Sequence, residues 1–465
     1  MSAPVSPERV LPTLNADGSR RRIRPRLYPG RFHRARRATA YALMALFVAL
    51  PFLRVGGKPA VLLDVPGRQF IVFGRTFLAT DGVLLMLLML AIAAGILLVS
   101  ALFGRAWCGW GCPQTVYLEF LFRPIERLFE GRREDQLRLD ARPGPSARRL
   151  GKNAVFALLS VGLGNLFLAY FVGVDALRQW LARSPLEHPA PFLVMAATSA
   201  LVFFDFAVFR EQMCTVACPY ARLQSVLLDE RSLLVGYDGR RGEPRSKGKP
   251  RPGSGDCIDC SACVVACPTG IDIRQGLQLE CIACTQCADA CDSIMDRIKK
   301  PRGLIRYAAQ ESLESGRPSR IVRPRVLVYA ALLVGLLVAL VATARAREAS
   351  EVTILRGVGA PFEMREGLSV NQIRVKVQNR APGARQFRIE LLDAPGARLI
   401  APENPLAVGQ DEQRSTSVFV MAEPRSLPNG RRAVRFRVTD GQGFTVLVPY
   451  QLLGPQNLSV AGSGP

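Results

Sequence analysis

Eight cysteines in the middle of the chain have the spacing that wraps iron–sulfur cubes. "CIDCSACVVACPTG" (257–270) and "CIACTQCADACDS" (281–293) each read C-x2-C-x2-C-x3-C. A cubane needs four thiolates at tetrahedral corners. Two-residue gaps let one loop reach three corners, and a cysteine from another segment supplies the fourth. In the bacterial two-cluster arrangement, the fourth cysteine of each run serves the other cube. One [4Fe–4S] cluster is therefore expected on Cys257, Cys260, Cys263 and Cys291, and a second on Cys281, Cys284, Cys287 and Cys267. Pro268 follows Cys267 as the pattern asks; Asp292 stands where the second run would carry proline, which removes no ligand. Zinc ribbons space their C-x2-C pairs more widely and fit these duplicated runs poorly. Such clusters pass single electrons, at potentials set by charge, hydrogen bonding and exposure.

The other four cysteines form a second repeat. "CGWGCPQTVYLEF" (108–120) and "CTVACPYARLQSV" (214–226) both read C-x3-C-P. Residues four apart share a helix face, so Cys108 and Cys112 present two sulfurs together if a helix persists that far. Cys214 and Cys218 do the same. Two helical hairpins ending in matched pairs imply an approximate twofold arrangement that gathers four soft thiolates. Soft donors select Cu(I), zinc or iron–sulfur, and Met213 adds a thioether if it points inward. A bound copper, a third cluster and a dithiol relay all stay open, as does the plainer role of free cysteines as small packing residues. The chain has two histidines, His33 and His188, both outside the apolar runs, which argues against haem held between helices. His33 reads as a surface residue. Asp205, costly in lipid, is expected to pair with Arg105 or Arg210, and Trp107 and Trp110 to anchor at an interface.

These residues are positioned by a membrane protein. Five runs approach the 17–25 apolar residues that span a bilayer: roughly Ala38–Leu53, Gly82–Gly104, Asn153–Val174, Pro189–Phe209 and Val326–Ala344. The first is short, with Arg54 as a snorkelling end. Residues 1–37 and 104–152 each hold ten Lys or Arg, against four in 54–81 and two in 174–189. Positive segments stay in the cytoplasm, which places the N-terminus and the cysteine-rich segment inside and the tail after Arg345 outside. Topology absorbs much of the net charge of +23, and no nucleic-acid partner is expected. All twelve cysteines lie between Cys108 and Cys291, on the reducing side where thiols stay free for metal.

The expected architecture is a membrane α-helical bundle of five spans with an inserted two-cluster ferredoxin-like module and a C-terminal immunoglobulin-like β-sandwich. Residues 1–37 form a mobile basic arm, 38–230 a four-span bundle with the two C-x3-C-P pairs, 231–323 the cytoplasmic module, 324–345 the fifth span and 346–465 the periplasmic sandwich. The linker "RRGEPRSKGKPRPGSG" (240–255) has the composition of a flexible tether. In the tail, "NQIRVKVQNR", "RQFRIELLD", "STSVFVMAE", "RRAVRFRVTDG" and "GFTVLVPYQLL" alternate at period two, which suits short strands of a sandwich.

The stretches "WCGWGCPQTV", "FREQMCTVACPYARLQSVLLDE", "YDGRRGEPR", "GDCIDCSACVVACPTGIDIRQGLQLECIACTQCADACD" and "KPRGLIRY" carry a resemblance. The chain resembles the cytochrome c oxidase accessory protein CcoG (FixG/RdxA) family of membrane-bound polyferredoxins. The resemblance implies an inner-membrane protein that assists assembly of cbb3-type cytochrome c oxidase, associated with reduction of Cu(II) to Cu(I). It implies oxidase subunits, a copper transporter or chaperone, and a cytosolic electron donor as partners. Related polyferredoxins act in quinol-linked electron transfer, which gives an alternative reading as a quinol dehydrogenase. A non-catalytic, redox-sensing scaffold is a third.

Overall fold

The computed structural model describes residues 13–455 apart from 16, 18, 66, 68, 79–81, 143, 145, 249–251, 319–321, 347–348, 382 and 411. The first twelve residues of the basic arm and the last ten of the tail lie outside the described residues, as do 249–251 of the linker. The chain divides into two compact units, residues 1–341 and 342–465.

Among the described residues, four helices are long and apolar enough to cross a membrane: Gly82–Phe103, Ala147–Val172, Pro189–Phe209 and Pro324–Arg345. The helices from Ala147 and Pro189 pack along each other, with Gly164 against Ser199; a Cβ there would lie 3.0 Å from the Ser199 hydroxyl. Small residues of this kind let membrane helices approach closely. At one end of the pair, Phe206 stacks on Phe122 (4.4 Å between ring centroids), and Phe156 meets Phe122 edge-on (4.8 Å).

The fifth expected span, 38–53, does not meet that standard. It belongs to the helix Arg31–Ala49, whose first seven residues include four arginines and His33. From Ala38 to the helix end runs about 18 Å at 1.5 Å per residue, short of a ~30 Å hydrocarbon core. The described part of the arm also differs from a mobile segment. Arg24 is buried, the Arg26 amide donates to Val265 O (3.0 Å), and Asp289 accepts from the Phe32 and His33 amides at 3.1 and 2.7 Å. That carboxylate satisfies orphan donors at a helix start. His33 is not a surface residue either. Its ring lies 5.6 Å from that of Phe120, and burial, then Arg36, lowers its pKa.

The segment between the first two helices forms short strands, a hairpin of Arg54–Val55 with Lys58–Pro59 and a three-stranded sheet of Val61–Asp64, Gln69–Val72 and Arg75–Leu78. The expected tether at 240–255 is tied down at both flanks. Ser246 and Gly248 donate to the carbonyls of Cys257 and Ile258 (3.0 and 3.1 Å), and Arg241 pairs with Asp256 (2.6 Å).

The second unit is a sandwich. One sheet runs Arg398–Ile400, Gln413–Ala422, Leu368–Asn379, Ser350–Arg356, with Glu363–Arg365 added to the start of Leu368–Asn379; the other runs Leu406–Val408, Arg385–Leu392, Arg431–Thr439, Thr445–Leu453. Alternate residues point into one core: Ile373, Val375 and Val377 from one sheet face Phe387, Ile389, Val434, Phe436 and Val438 from the other. Period-two patterning predicts that inward row.

Candidate functional site: cysteine cavities and a thiol quartet

The eight central cysteines line two adjoining cavities. One is bordered by Cys257, Cys260, Cys263 and Cys291. The other is bordered by Cys267, Cys281, Cys284 and Cys287, with Cys263 touching it too. The structure thus gathers the same two sets of four that the spacing pairs. The two loops repeat each other in backbone as well as in sequence. The residues on either side of the second cysteine have positive φ in both: Asp259 (49°) and Ser261 (54°), then Ala283 (52°) and Thr285 (57°). Non-glycine residues rarely adopt this region, and four such residues at matched positions mark loops shaped around something.

The donor set fits an anionic soft-metal group. Among the described residues no three Cys, His, Asp or Glu side chains converge on a single-ion point; the thiols instead ring cavities, as the corners of a cube require. Burial is the first cause raising the Cys263, Cys284 and Cys291 thiols to about 12, and it raises Cys281 to about 11. Thiols so held give up protons only to a strong Lewis acid such as iron. Arg36 is 1% exposed. Its Nε donates to Gly109 O (2.8 Å), but its two terminal nitrogens have no partner. It lies close enough to Cys284 to favour the thiolate. A buried cation of this kind requires an anion, which a thiolate-ligated cluster would be.

The two C-x3-C-P pairs break the helix that the spacing suggested. Ala106–Trp110 is helical, but Cys112 is extended (φ −64°, ψ 125°) and caps a new helix, Pro113–Tyr117. Met213–Ala217 is a π-helical turn, and Cys218 is likewise extended (φ −69°, ψ 110°) ahead of Pro219–Leu227. The ring of a proline excludes the helical region for the residue before it. Cys267, before Pro268, has the same backbone (φ −71°, ψ 123°). The C-P dipeptide in the sequence was the signal for this break.

The four thiols nonetheless lie within electrostatic reach of one another, without closing on a single-ion point. Each is partly buried. Burial and then Cys112 push Cys108 up to about 12, and burial followed by Cys112, Cys108 and Cys218 raises Cys214 further. Cys108 Sγ sits 3.5 Å from Gln224 Oε1. That amide is fully buried and donates to Gly104 O (2.5 Å) and Tyr220 OH (3.2 Å). Met213 opens the turn that carries Cys214. The Asp205 carboxylate accepts from Gln114 Nε2 (3.1 Å) and not from an Arg105 or Arg210 side chain, while its backbone carbonyl accepts from the Arg210 amide (2.5 Å); the same Gln114 amide group donates to Arg210 O (3.0 Å). Arg210 has φ 52°, a strained turn where the apolar helix ends and the second pair begins.

The quartet abuts the loop of the second cavity. Gly109 presses on the carbonyls of Ile282 and Ala283; a Cβ there would lie 2.7–2.8 Å from their oxygens. Trp110 Nε1 donates to Tyr307 OH (2.8 Å), which donates to Ala283 O (2.7 Å). Trp110 is therefore a strut rather than an interface anchor, whereas Trp107 is half exposed. Arg105 donates to Leu279 O, to Cys281 O (3.3 Å) and, from its other nitrogen, to Ala221 O (2.6 Å).

Comparison with known proteins gives the family of the chain. A family profile described as "4Fe-4S dicluster domain" matches residues 209–310, one described as "4Fe-4S binding domain" matches 85–132, and one for the "IG-like fold at C-terminal of FixG" matches 340–455. Protein RdxA of Cereibacter sphaeroides is 36% identical over 393 residues, 81% of this chain and 83% of RdxA. The chain belongs to the FixG/RdxA/RdxB family. Nitrogen fixation protein FixG of Rhizobium meliloti is 32% identical over 474 residues, 89% of this chain and 88% of FixG. The crystal structure of a FixG-related protein from Vibrio parahaemolyticus overlaps 23% of this chain and 98% of its own, at 16% identity and a TM-score of 0.22.

One part of the site in this FixG-family chain was not foreseen from the sequence: a buried ionic network beneath both thiol pairs. Arg210 makes a two-pronged contact with Glu126 (2.7 and 2.9 Å). Arg24 adds Glu126 (2.6 Å), Glu130 (3.2 Å) and Asp140 (2.9 Å), and Lys152 adds Glu130 (2.7 Å). Glu211 pairs with Arg20 (3.3 Å) and Arg123 (3.5 Å). Gln286, in the second cysteine run, donates to Glu119 (3.0 Å), itself paired with Arg123. Burial alone would raise the Glu126 carboxyl, but Arg210 and Arg24 outweigh it and hold it well below the usual range. Only the i,i+4 spacing of Glu119 and Arg123 hinted at pairing. The π-helical turns Leu118–Phe122 and Phe204–Phe209, which turn these charges inward, leave no mark in the sequence pattern.

Proposed function

We propose that this protein is a membrane-bound electron-transfer oxidoreductase that reduces Cu(II) to Cu(I) at Cys108, Cys112, Cys214 and Cys218, in support of cbb3-type oxidase assembly. The observation that carries the reading is the direct packing of a four-thiol site on the Cys281–Cys284 loop, through Gly109, Trp110 and Arg105. One [4Fe–4S] cluster belongs to Cys257, Cys260, Cys263 and Cys291, and another to Cys281, Cys284, Cys287 and Cys267; when bound, such clusters supply single electrons.

The residues of the quartet then have separate tasks. One electron converts one Cu(II) to Cu(I), and thiolates favour the reduced ion. Cys108 and Cys214, held protonated by burial, release their protons as the ion binds, so binding weakens in acid. Gln224 and Gln114 fix the two turns from which the sulfurs project. In this reading the helix Arg31–Ala49 is the fifth crossing, completed by residues 50–53. Its Phe47 stacks on Tyr170 at 5.0 Å between centroids, and Tyr41, Leu46 and Val48 are about half exposed, as lipid-facing residues would be. Five crossings put the N-terminal arm and cysteine-rich segment in the cytoplasm and the sandwich in the periplasm, where oxidase subunits and a copper transporter or chaperone are met.

The iron–sulfur profile over 85–132 favours a second reading, in which the quartet holds a third cluster. A single experiment separates the two. Protein purified without oxygen is assayed for iron and copper, and the reduced protein is offered Cu(II) with a Cu(I)-specific chelator present. Copper reduction is expected, and the double variant Cys108→Ser/Cys214→Ser is expected to lose copper binding at unchanged iron content. Loss of about a third of the iron in that variant supports the third cluster. Copper binding that survives the double change overturns the ligand assignment.

A further inference from the structure

The buried ionic network does not balance. Among the described residues, its connected pairs join seven cations (Arg20, Arg22, Arg24, Arg123, Arg149, Lys152 and Arg210) to five carboxylates (Glu119, Glu126, Glu130, Asp140 and Glu211). Two positive charges remain. Of the cations only Arg22 is mostly exposed, at 62% of its side chain. Surplus charge out of water is costly unless an anion joins it.

A cavity of about 240 Å³ lies at this place. Its charged wall carries Arg20, Arg22, Arg24, Arg149, Lys152 and Arg210 with the carboxylates of Glu126 and Glu211, so cations outnumber anions there, and Phe203, Ala207 and Val208 form an apolar wall. The Nε atoms of Arg20 and Arg149 are buried there with no hydrogen-bond partner. Arg149 and Lys152 start the helix Ala147–Val172, and the three apolar residues end the helix Pro189–Phe209. The cavity therefore sits at a shared end of two helices that can cross a bilayer, charged on one side and oily on the other.

We infer that this cavity binds a phosphoryl anion, carried by the headgroup of an anionic phospholipid whose chains run along Phe203, Ala207 and Val208. Guanidinium forks match phosphate oxygens, and basic pockets between membrane helices take phospholipid headgroups. Free phosphate offers the same chemistry to the cations but leaves the apolar wall uncovered. The occupied site would steady Arg210, the strained residue that leads into Cys214.

The test uses the full chain in nanodiscs of phosphatidylcholine with a minority of phosphatidylglycerol, read by the lipid retained in native mass spectrometry. Wild type is expected to retain phosphatidylglycerol over phosphatidylcholine by about tenfold or more, and Arg20→Gln to lower that preference about tenfold, as expected for one charge in a partly buried site. Asn153→Asp adds a negative charge to the cavity lining at an exposed side chain, so its fold is not at risk, and it is expected to act alike. Displacement of the retained lipid by millimolar inorganic phosphate supports the anion site. Phosphate binding without any lipid preference overturns the lipid assignment. Absence of both in wild type, or their full survival in Asn153→Asp, overturns the inference.

Discussion

Gly109→Ala tests the contact on which the functional reading rests. The added methyl would lie 2.7 Å from Ala283 O and 2.8 Å from Ile282 O, whereas ordinary contact begins near 3.4 Å. The two loops must part by about 0.6–0.7 Å, and the obstacle is backbone, which cannot swing aside. Parting is resisted by the Arg36 bond to Gly109 O and by the Trp110–Tyr307–Ala283 chain, each worth about 1 kcal/mol net. The expected cost is that of overpacking, about 1–3 kcal/mol, and it falls on the loop between Cys281 and Cys284. The assay is the iron content of protein purified without oxygen, with the alkylation rate of Cys281 and Cys284. Iron is expected to fall towards half and alkylation to quicken at least fivefold, the lower end of that range at 1.4 kcal/mol per tenfold. Gly111→Ala is the control. Its methyl meets the ring of Trp107 at 2.7 Å, and that ring is half exposed and free to move. Full iron and unchanged alkylation in Gly109→Ala, or equal damage in both variants, refutes the argument.

Two further outcomes follow from buried charge. Arg36→Met removes a cation beside Cys284 and should lower the reduction potential of the second cluster on the order of 50 mV, since the reduced cluster is the more negative form; redox titration by electron paramagnetic resonance reads this, and a rise or no change contradicts it. Glu126→Gln leaves the buried Arg210 and Arg24 without their shared anion and should destabilise the protein by about 3–5 kcal/mol in denaturant melts. The pH dependence of that loss has a definite sign. The Glu126 carboxyl is held below its ordinary value, so its contribution is complete above about pH 4.3 and disappears only as the pH falls through the depressed value. The gap between wild type and variant should therefore stay constant from pH 7 to pH 5; a gap that closes within that window rules the pairing out.

The chemistry-bearing residues were legible because iron–sulfur loops are local. Two-residue gaps between Cys257, Cys260 and Cys263 encode three corners of a cube within seven residues, and the repeat at Cys281–Cys287 encodes three more. Long apolar helices and period-two strands are equally local, since burial in lipid or in a sandwich imposes its period on consecutive residues. Four long apolar helices, the cysteine runs and the C-terminal sandwich therefore lay open in the chain. The break at Cys112 and Cys218 was also written there, in the proline that follows each, whose ring crowds the preceding residue out of the helical region.

Other features depend on partners far apart in sequence. The start of the helix Arg31–Ala49 is capped by Asp289, more than two hundred and fifty residues later. Arg24, in an arm whose composition suggests disorder, is buried because Glu126, Glu130 and Asp140 come to meet it. The closeness of Gly109 to Ala283 sets the first C-x3-C-P turn against the Cys281–Cys284 loop, and neither stretch carries the other's address. Local spacing fixes which ligands a segment can offer. Only the closed chain fixes which buried charges find counter-ions and which loops touch, because both depend on desolvation that no single segment undergoes alone.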